Sequence, residues 1–171
     1  MDFQSGFLNV GIVEFSGVQM IIFYDVNLGR FGNPTPSLNH FHNDWHTQTT
    51  GTGNTRELAG EIGKSNNLAN VVVTWCRGKW SWFNQGRRIS KLVFDNSNVK
   101  FSYNNQDAND WNLVDTAVVY AFKENIDFQI SVDNLFGERK HYPAGATDAD
   151  MVKYLPRILG HHTSLSVGPR Y

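Results

Sequence analysis

Trp111-Asn-Leu-Val-Asp-Thr-Ala-Val-Val-Tyr-Ala-Phe122, the turn Lys123-Glu-Asn125, and Ile126-Asp-Phe-Gln-Ile-Ser-Val-Asp-Asn-Leu-Phe-Gly137 together decide the fold. In the first run Asn112, Val114, Thr116, Val118, Tyr120 and Phe122 share one register. In the second, Phe128, Ile130 and Val132 alternate with Asp127, Gln129, Ser131 and Asp133. Side chains alternate across a strand with a period of two, so each run is a half-buried strand and the short polar turn makes the pair a hairpin. What covers the apolar face, another sheet or lipid, decides the function.

Working outward, the same beat recurs. Ser16 to Leu28 puts Val18, Met20, Ile22, Tyr24 and Val26 on one side and Gln19, Ile21, Phe23, Asp25 and Asn27 on the other. A tight turn at 29–33 leads into a polar strand, about Ser37 to Gln48. Leu68 to Trp75 turns at Arg77-Gly78 into a strand that runs from Lys79 towards Val93. A last strand covers about Arg157 to Tyr171. The expectation is an all-β, antiparallel up-and-down meander of about seven strands. Pro34 and Pro36 fall at a strand start, tolerable at an edge or first position, and Pro169 falls near the end of the last strand.

Turns at 29–33, 77–79 and 123–125 are short, whereas the polar connections at 49–66, 94–110 and 137–156 are long. Up-and-down order then puts all short turns at one end and all long loops at the other, the asymmetry of membrane barrels. Residues 1–15 read as the tail of a long loop. Tyr24, Phe31, Trp75, Trp80, Trp82, Tyr120, Phe122 and Phe128 flank the short turns. Rings gathered at one height are expected of a membrane-interface belt, while the same rings would also suit a strand core.

Composition narrows the class. The chain has 171 residues, enough for one domain, with 40% apolar and 13% aromatic residues and a net charge of -1. That balance gives no nucleic-acid footprint. The single cysteine, Cys76, excludes an internal disulfide framework and a Cys-rich zinc site. The sequence has no apolar run long enough for a spanning helix, but barrel strands need apolar residues only at alternate positions. Met1-Asp-Phe-Gln-Ser-Gly has neither the basic start nor the apolar core of a secretory signal.

Few constellations carry chemistry. His40, His42 and His46 have even spacing, which puts all three on one strand face with Asp44. Imidazoles suit zinc, copper or nickel, whereas a polar, lumen-facing strand needs no metal. His161 and His162 fall on opposite faces. Cys76 sits beside a tight turn with no base nearby and reads as structural. Asp107, Asp110, Asp148 and Asp150 lie in polar stretches without calcium-loop spacing and read as solvated. Arg56, Arg87, Arg88, Arg139 and Lys140 are scattered, and of the adjacent pair Arg87 and Arg88 one must face inward. A phosphate loop, a nucleophile elbow and a zincin motif are all missing, so neither an enzyme nor a cofactor is expected.

Several stretches resemble the C-terminal part of the barrel of TonB-dependent outer-membrane receptors. Val10-Gly-Ile-Val-Glu-Phe-Ser-Gly-Val18 and Tyr24-Asp-Val-Asn-Leu-Gly-Arg-Phe-Gly32 are similar to a strand–turn of that family. Leu58-Ala-Gly-Glu-Ile-Gly63, Ala69-Asn70 and Trp75-Cys-Arg-Gly-Lys-Trp80 resemble the next hairpin. Asn112-Leu-Val-Asp115 and Val132-Asp-Asn-Leu-Phe136 resemble late strands, and Leu155-Pro-Arg157 with Leu165-Ser-Val-Gly-Pro-Arg-Tyr171 resembles the closing strand. The order holds over nearly the whole chain.

The resemblance implies the outer membrane and active uptake of a scarce nutrient, an iron chelate, cobalamin or a glycan. It implies lipid, the remaining barrel strands, a plug and, through the missing N-terminal part, the TonB complex as partners. It makes Tyr171 the assembly signal. Residues 1–171 would then be a C-terminal barrel segment, about a third of some 22 strands, without a plug and not a transporter alone. The alternative is a small soluble β-barrel or sandwich that binds a ligand in its mouth.

Overall fold

Alternation turns into strands along nearly the whole described chain. The computed structural model describes residues 11–61, 63–93, 96, 107–108, 110–124, 126–138 and 160–168. Its strands are β1 (Gly11–Phe23), β2 (Asn33–Thr50), β3 (Thr55–Glu57), β4 (Asn67–Arg77), β5 (Trp80–Ile89), β6 (Leu92–Val93), β7 (Asp107–Ala108), β8 (Trp111–Lys123), β9 (Ile126–Asp133) and β10 (His162–Gly168). β1, β2, β4, β5, β8, β9 and β10 lie side by side in chain order as one antiparallel meander, with β3 folded back onto β2. β6 and β7 form a separate two-strand ladder. Hydrogen bonds do not close the sheet into a ring.

Two of the tight connections have local causes. After β1 the chain makes a 3-10 turn at Gly29–Phe31 and leaves it through Gly32, where φ is 94°. A Cβ on Gly32 would overlap the carbonyl oxygen of Cys76, so only glycine fits that turn. Gly78, with φ of 58°, turns β4 into β5. All three short turns lie at one end of the sheet, and β2 and β4, β5 and β8, and β9 and β10 are joined from the other.

Two expectations change in detail. Residues 11–15, expected in a loop, pair with β2 as the start of β1. β2 is an interior strand rather than an edge, and its prolines are accommodated differently from expectation. The carbonyl oxygens of Pro36 and Pro34 accept the amides of Tyr24 (3.1 Å) and Val26 (3.0 Å). In an antiparallel pair a residue's N and O point to the same neighbour, so the donors these prolines lack face β1, not β4. The regular part of β1 accordingly stops at Phe23, while β4 pairs with β2 as far as Asn33. Pro169, Tyr171, Arg139, Lys140, Asp148 and Asp150 lie outside the described residues.

Few of the described side chains are buried, and those lie towards the long-loop end. Leu58, Trp111 and Leu113 are the buried apolar residues among those described, beside buried Asn43, Glu61, Ser65 and Asn134. Asn134 ends β9 in the left-handed region, with φ of 51°. Its amide donates to Asp115 Oδ1 (2.7 Å), its Nδ2 donates to the Glu138 carbonyl (2.9 Å), and its Oδ1 accepts the Glu138 amide (2.9 Å). Leu135 N then donates to Val114 O at 2.7 Å. The Asp133-Asn-Leu-Phe136 string is therefore a closed turn that fastens β9 to β8.

Asparagine tolerates that backbone and supplies both side-chain bonds, so Asn134→Ala is expected to cost about 2–4 kcal/mol in urea unfolding. Asn134→Gly relieves the strain but loses the bonds, and a cost near that of alanine would assign most of the effect to hydrogen bonding. No loss in either variant would contradict this account of the turn.

Candidate functional site

The register divides the sheet into two unlike faces. Ile22, Leu38, Val71, Gly86 and Val114 are successive partners across β1, β2, β4, β5 and β8. Trp75, Trp82, Val118, Ile130 and Leu165 are partners across β4, β5, β8, β9 and β10, and Trp80, Tyr120, Phe128 and Val167 follow one row nearer the short turns. Opposed residues share a face, so these rows form one apolar surface that runs from edge to edge. Among the described residues nothing covers it: Val18 is 61% exposed, Ile130 53% and Leu165 72%.

The eight ring residues expected at one end all lie near the short turns. Trp80 stacks on Tyr120 with centroids 4.6 Å apart, and Phe122, beside a register shift in β8, meets Phe128 edge-on at 5.6 Å. Trp75 Nε1 donates to Phe31 O (2.9 Å) and Trp82 Nε1 to Thr116 Oγ1 (2.8 Å), so both indoles are satisfied within the sheet.

The apolar band also slants. On β1 it spans Val18 to Tyr24, centred on Ile21, and on β10 it spans Leu165 to Val167, centred on Ser166. Opposed pairs carry Ile21 through Asn39, Asn70 and Arg87 to Leu113, and carry Ser166 through Gln129 to Val119. The two centres thus reach β8 six residues apart (119 − 113) after six pairings. One residue per pairing, about 3.4 Å of rise against about 4.8 Å between strands, is a strand tilt of roughly 35° relative to the band.

The opposite face carries a polar lattice, beside exposed Phe15, Ile21 and Phe23 on β1. Gln19 Nε2 donates to Asn39 Oδ1 (2.9 Å) and Gln85 Nε2 to Asn70 Oδ1 (2.7 Å). Ser131 and Ser164 hydroxyls meet at 2.6 Å, and Arg87 Nη2 pairs with Asp115 Oδ2 at 2.5 Å. Of the adjacent arginines, Arg87 lies on this face and Arg88 on the apolar one, where Arg88 pairs with Asp110 at 2.8 Å. Asp110 also accepts the Lys91 amide at 2.8 Å, so it latches the end of β5 instead of standing free in a loop. Cys76 is exposed, with its Sγ 3.6 Å from Ser81 Oγ.

The histidine cluster does not form as its spacing suggests. The register shifts between Ser16 and Gly17, which leaves Asp44 as an extra residue in β2. A bulge of this kind inverts the alternation beyond it. His40 opposes Met20 and His42 opposes Val18 on the apolar face, whereas His46 opposes Phe15 on the polar one, with ring centroids 6.0 Å apart. The carboxamide of buried Asn43, with its NH2 turned to the carbonyls of Ser16 and Trp45 at 3.1 Å each, fills the bulge. His42 Nε2 still reaches Asp44 Oδ1 at 3.2 Å, but no group of three metal-ligating side chains assembles among the described residues.

Sequence reasoning missed an apolar shelf on the polar face. Gln19, Phe41, Leu68, Ile89 and Trp111 form one row there, beside the row of Asn39, Asn70, Arg87 and Leu113. Between them lies a hollow of about 380 Å³. Its signal was present as apolar residues in the polar register of four strands, legible only once the strands are aligned.

No family model, no curated protein and no solved structure matches the chain.

Glu57 organises the loop end. Burial pushes its carboxyl up, but the amides of Ala59 (2.8 Å), His46 (3.0 Å) and Leu58 (3.1 Å), with the charge of His46, outweigh this and hold it below its ordinary value of 4.5. A depressed carboxylate stabilises the fold above its unfolded-state value, and that contribution disappears as pH falls through the lower folded value. Carboxylate titration by NMR should therefore place Glu57 below 4.5, with the 55–61 segment loosening only below that point. In Glu57→Gln that acid-induced loosening should vanish, and its persistence would assign it to another group.

Proposed function

We propose that this sheet is a length of outer-membrane β-barrel wall, of the kind found in TonB-dependent receptors, and takes no catalytic part itself. The observation that carries the reading is the uncovered, slanted apolar band. Outer-membrane strands cross the bilayer at about 35–45°, with an outward apolar band about 25 Å tall, aromatic girdles and a polar interior. A tilt of roughly 35°, rings gathered at the short-turn end and a hydrogen-bonded polar face all fit that description. Four same-face residues from Val18 to Tyr24 cover roughly 20 Å along the strand, most of such a band.

On this reading lipid meets Val118 and Ile130, the polar lattice lines the lumen, and the long connections face outward from the cell. The unpaired outer edges of β1 and β10 bind further strands of the same wall, because an open edge in hydrocarbon leaves backbone groups at several kcal/mol each. The plug and the TonB complex act on the completed receptor. The nutrient classes of such receptors, iron chelates, cobalamin and glycans, set the range of cargo.

Lysine substitutions in the full chain, reconstituted in phospholipid bilayers, test this. Met20→Lys, Val118→Lys and Ile130→Lys lie near the band's centre on their strands and should each cost about 2–4 kcal/mol of unfolding free energy. Val18→Lys and Val114→Lys lie towards its border and should cost about 0–1 kcal/mol. The tilt makes the first three alike although Met20 lies in a different row of the sheet from the paired Val118 and Ile130. Equal costs at all five positions, or a monodisperse chain without detergent, would favour the soluble β-domain.

A further inference from the structure

Beyond the wall itself, we propose that the hollow on the polar face is a binding site for a small aromatic carboxylate. The reasoning uses only that face and does not depend on what covers the other one. Phe41, Leu68, Ile89, Trp111 and Leu113 supply an apolar floor and side, and the last two are buried. A floor of this kind sets a planar hydrocarbon body against rings and branched chains. At about 380 Å³ the hollow is in the size range of small-molecule sites.

The polar part of the lining is rich in unused donors. Arg87 Nη2 is committed to Asp115, but its Nε is buried with no hydrogen-bond partner. The side-chain oxygens of Asn39 and Asn70 are taken by Gln19 and Gln85, which leaves their NH2 groups to donate. Among the described residues no carboxylate lines the hollow. Three donors, one of them on the Arg87 guanidinium, above an apolar shelf call for a ligand with an oxyanion at one end and a ring at the other. A buried donor left unpaired is costly, so the anionic group gains most from Arg87.

The probe is 2-naphthoate, with 2-naphthol as its neutral counterpart, titrated calorimetrically against the full chain in dodecyl maltoside micelles. Two-naphthoate should bind more tightly than 2-naphthol. Arg87→Lys keeps a cation for Asp115 but loses the Nε–H, and should weaken 2-naphthoate about tenfold while leaving 2-naphthol unchanged. Asn39→Ala, at an exposed position, removes one donor without touching the ion pair and should weaken 2-naphthoate several-fold, so it carries the test if the lysine variant does not fold. Equal affinity for the two probes would overturn the proposal. So would unchanged 2-naphthoate affinity in a folded Arg87→Lys or in Asn39→Ala.

Discussion

An amphipathic sheet must put its apolar face against something, and nothing in the described part of this chain does so. Seven strands lie in one layer, and the described residues supply no second layer to fold over it. Three apolar residues are buried, whereas Val18, Ile130 and Leu165 stand open. Burying a side chain of that size is worth about 1.5–3 kcal/mol, so a band of some twenty such positions cannot be left to water. Every other feature, from the one-ended aromatics to the paired polar groups opposite, is arranged around that uncovered surface.

The two faces reached this arrangement by different physics. On the apolar face the side chains have few partners within the sheet, and the indoles of Trp75 and Trp82 satisfy their own N–H groups at the turn end. On the polar face the side chains bond each other across strands: Gln19 with Asn39, Gln85 with Asn70, Arg87 with Asp115. A cross-strand lattice of this kind holds neighbouring strands in register, since a one-residue slip would move every amide and guanidinium to the wrong face. Register comes from the polar side and affinity for an apolar partner from the other.

The fold was legible in the sequence because period two survives without knowledge of the neighbours. Val118, Ile130 and their runs declare their face at once, and turn lengths declare which ends they join. The histidines were misread for a specific reason. An extra residue in one strand leaves no mark in that strand's own alternation, because the bulge at Asp44 exists only relative to β1. His46 therefore read as a partner of His42 and lies on the other side. The shelf of Phe41, Leu68, Ile89 and Trp111 was hidden likewise, since each residue alone is an ordinary aliphatic or aromatic in a polar register. The turn at Asn134 was half legible, as a motif without its reason, which is a left-handed backbone and two bonds to Glu138.

Strand direction adds a constraint on how such a wall is completed. Each of the six pairings from β1 to β10 is antiparallel, so β1 and β10 run the same way, from the long-loop end to the short-turn end. Joined directly they would make a parallel pair, which an up-and-down barrel does not contain. An antiparallel closure therefore needs an odd number of further strands, and the two strands that meet β1 and β10 must both run from the short-turn end outward. A second copy of this sheet contributes seven strands, an odd number, and satisfies the count only if its short turns and long loops are inverted relative to the first. That inversion would put long polar loops at both ends of the wall. Strands that keep all the short turns on one side must come from a different run, odd in its number of strands and both beginning and ending with a strand that leaves the short-turn end, and the wall reading requires such strands rather than self-association.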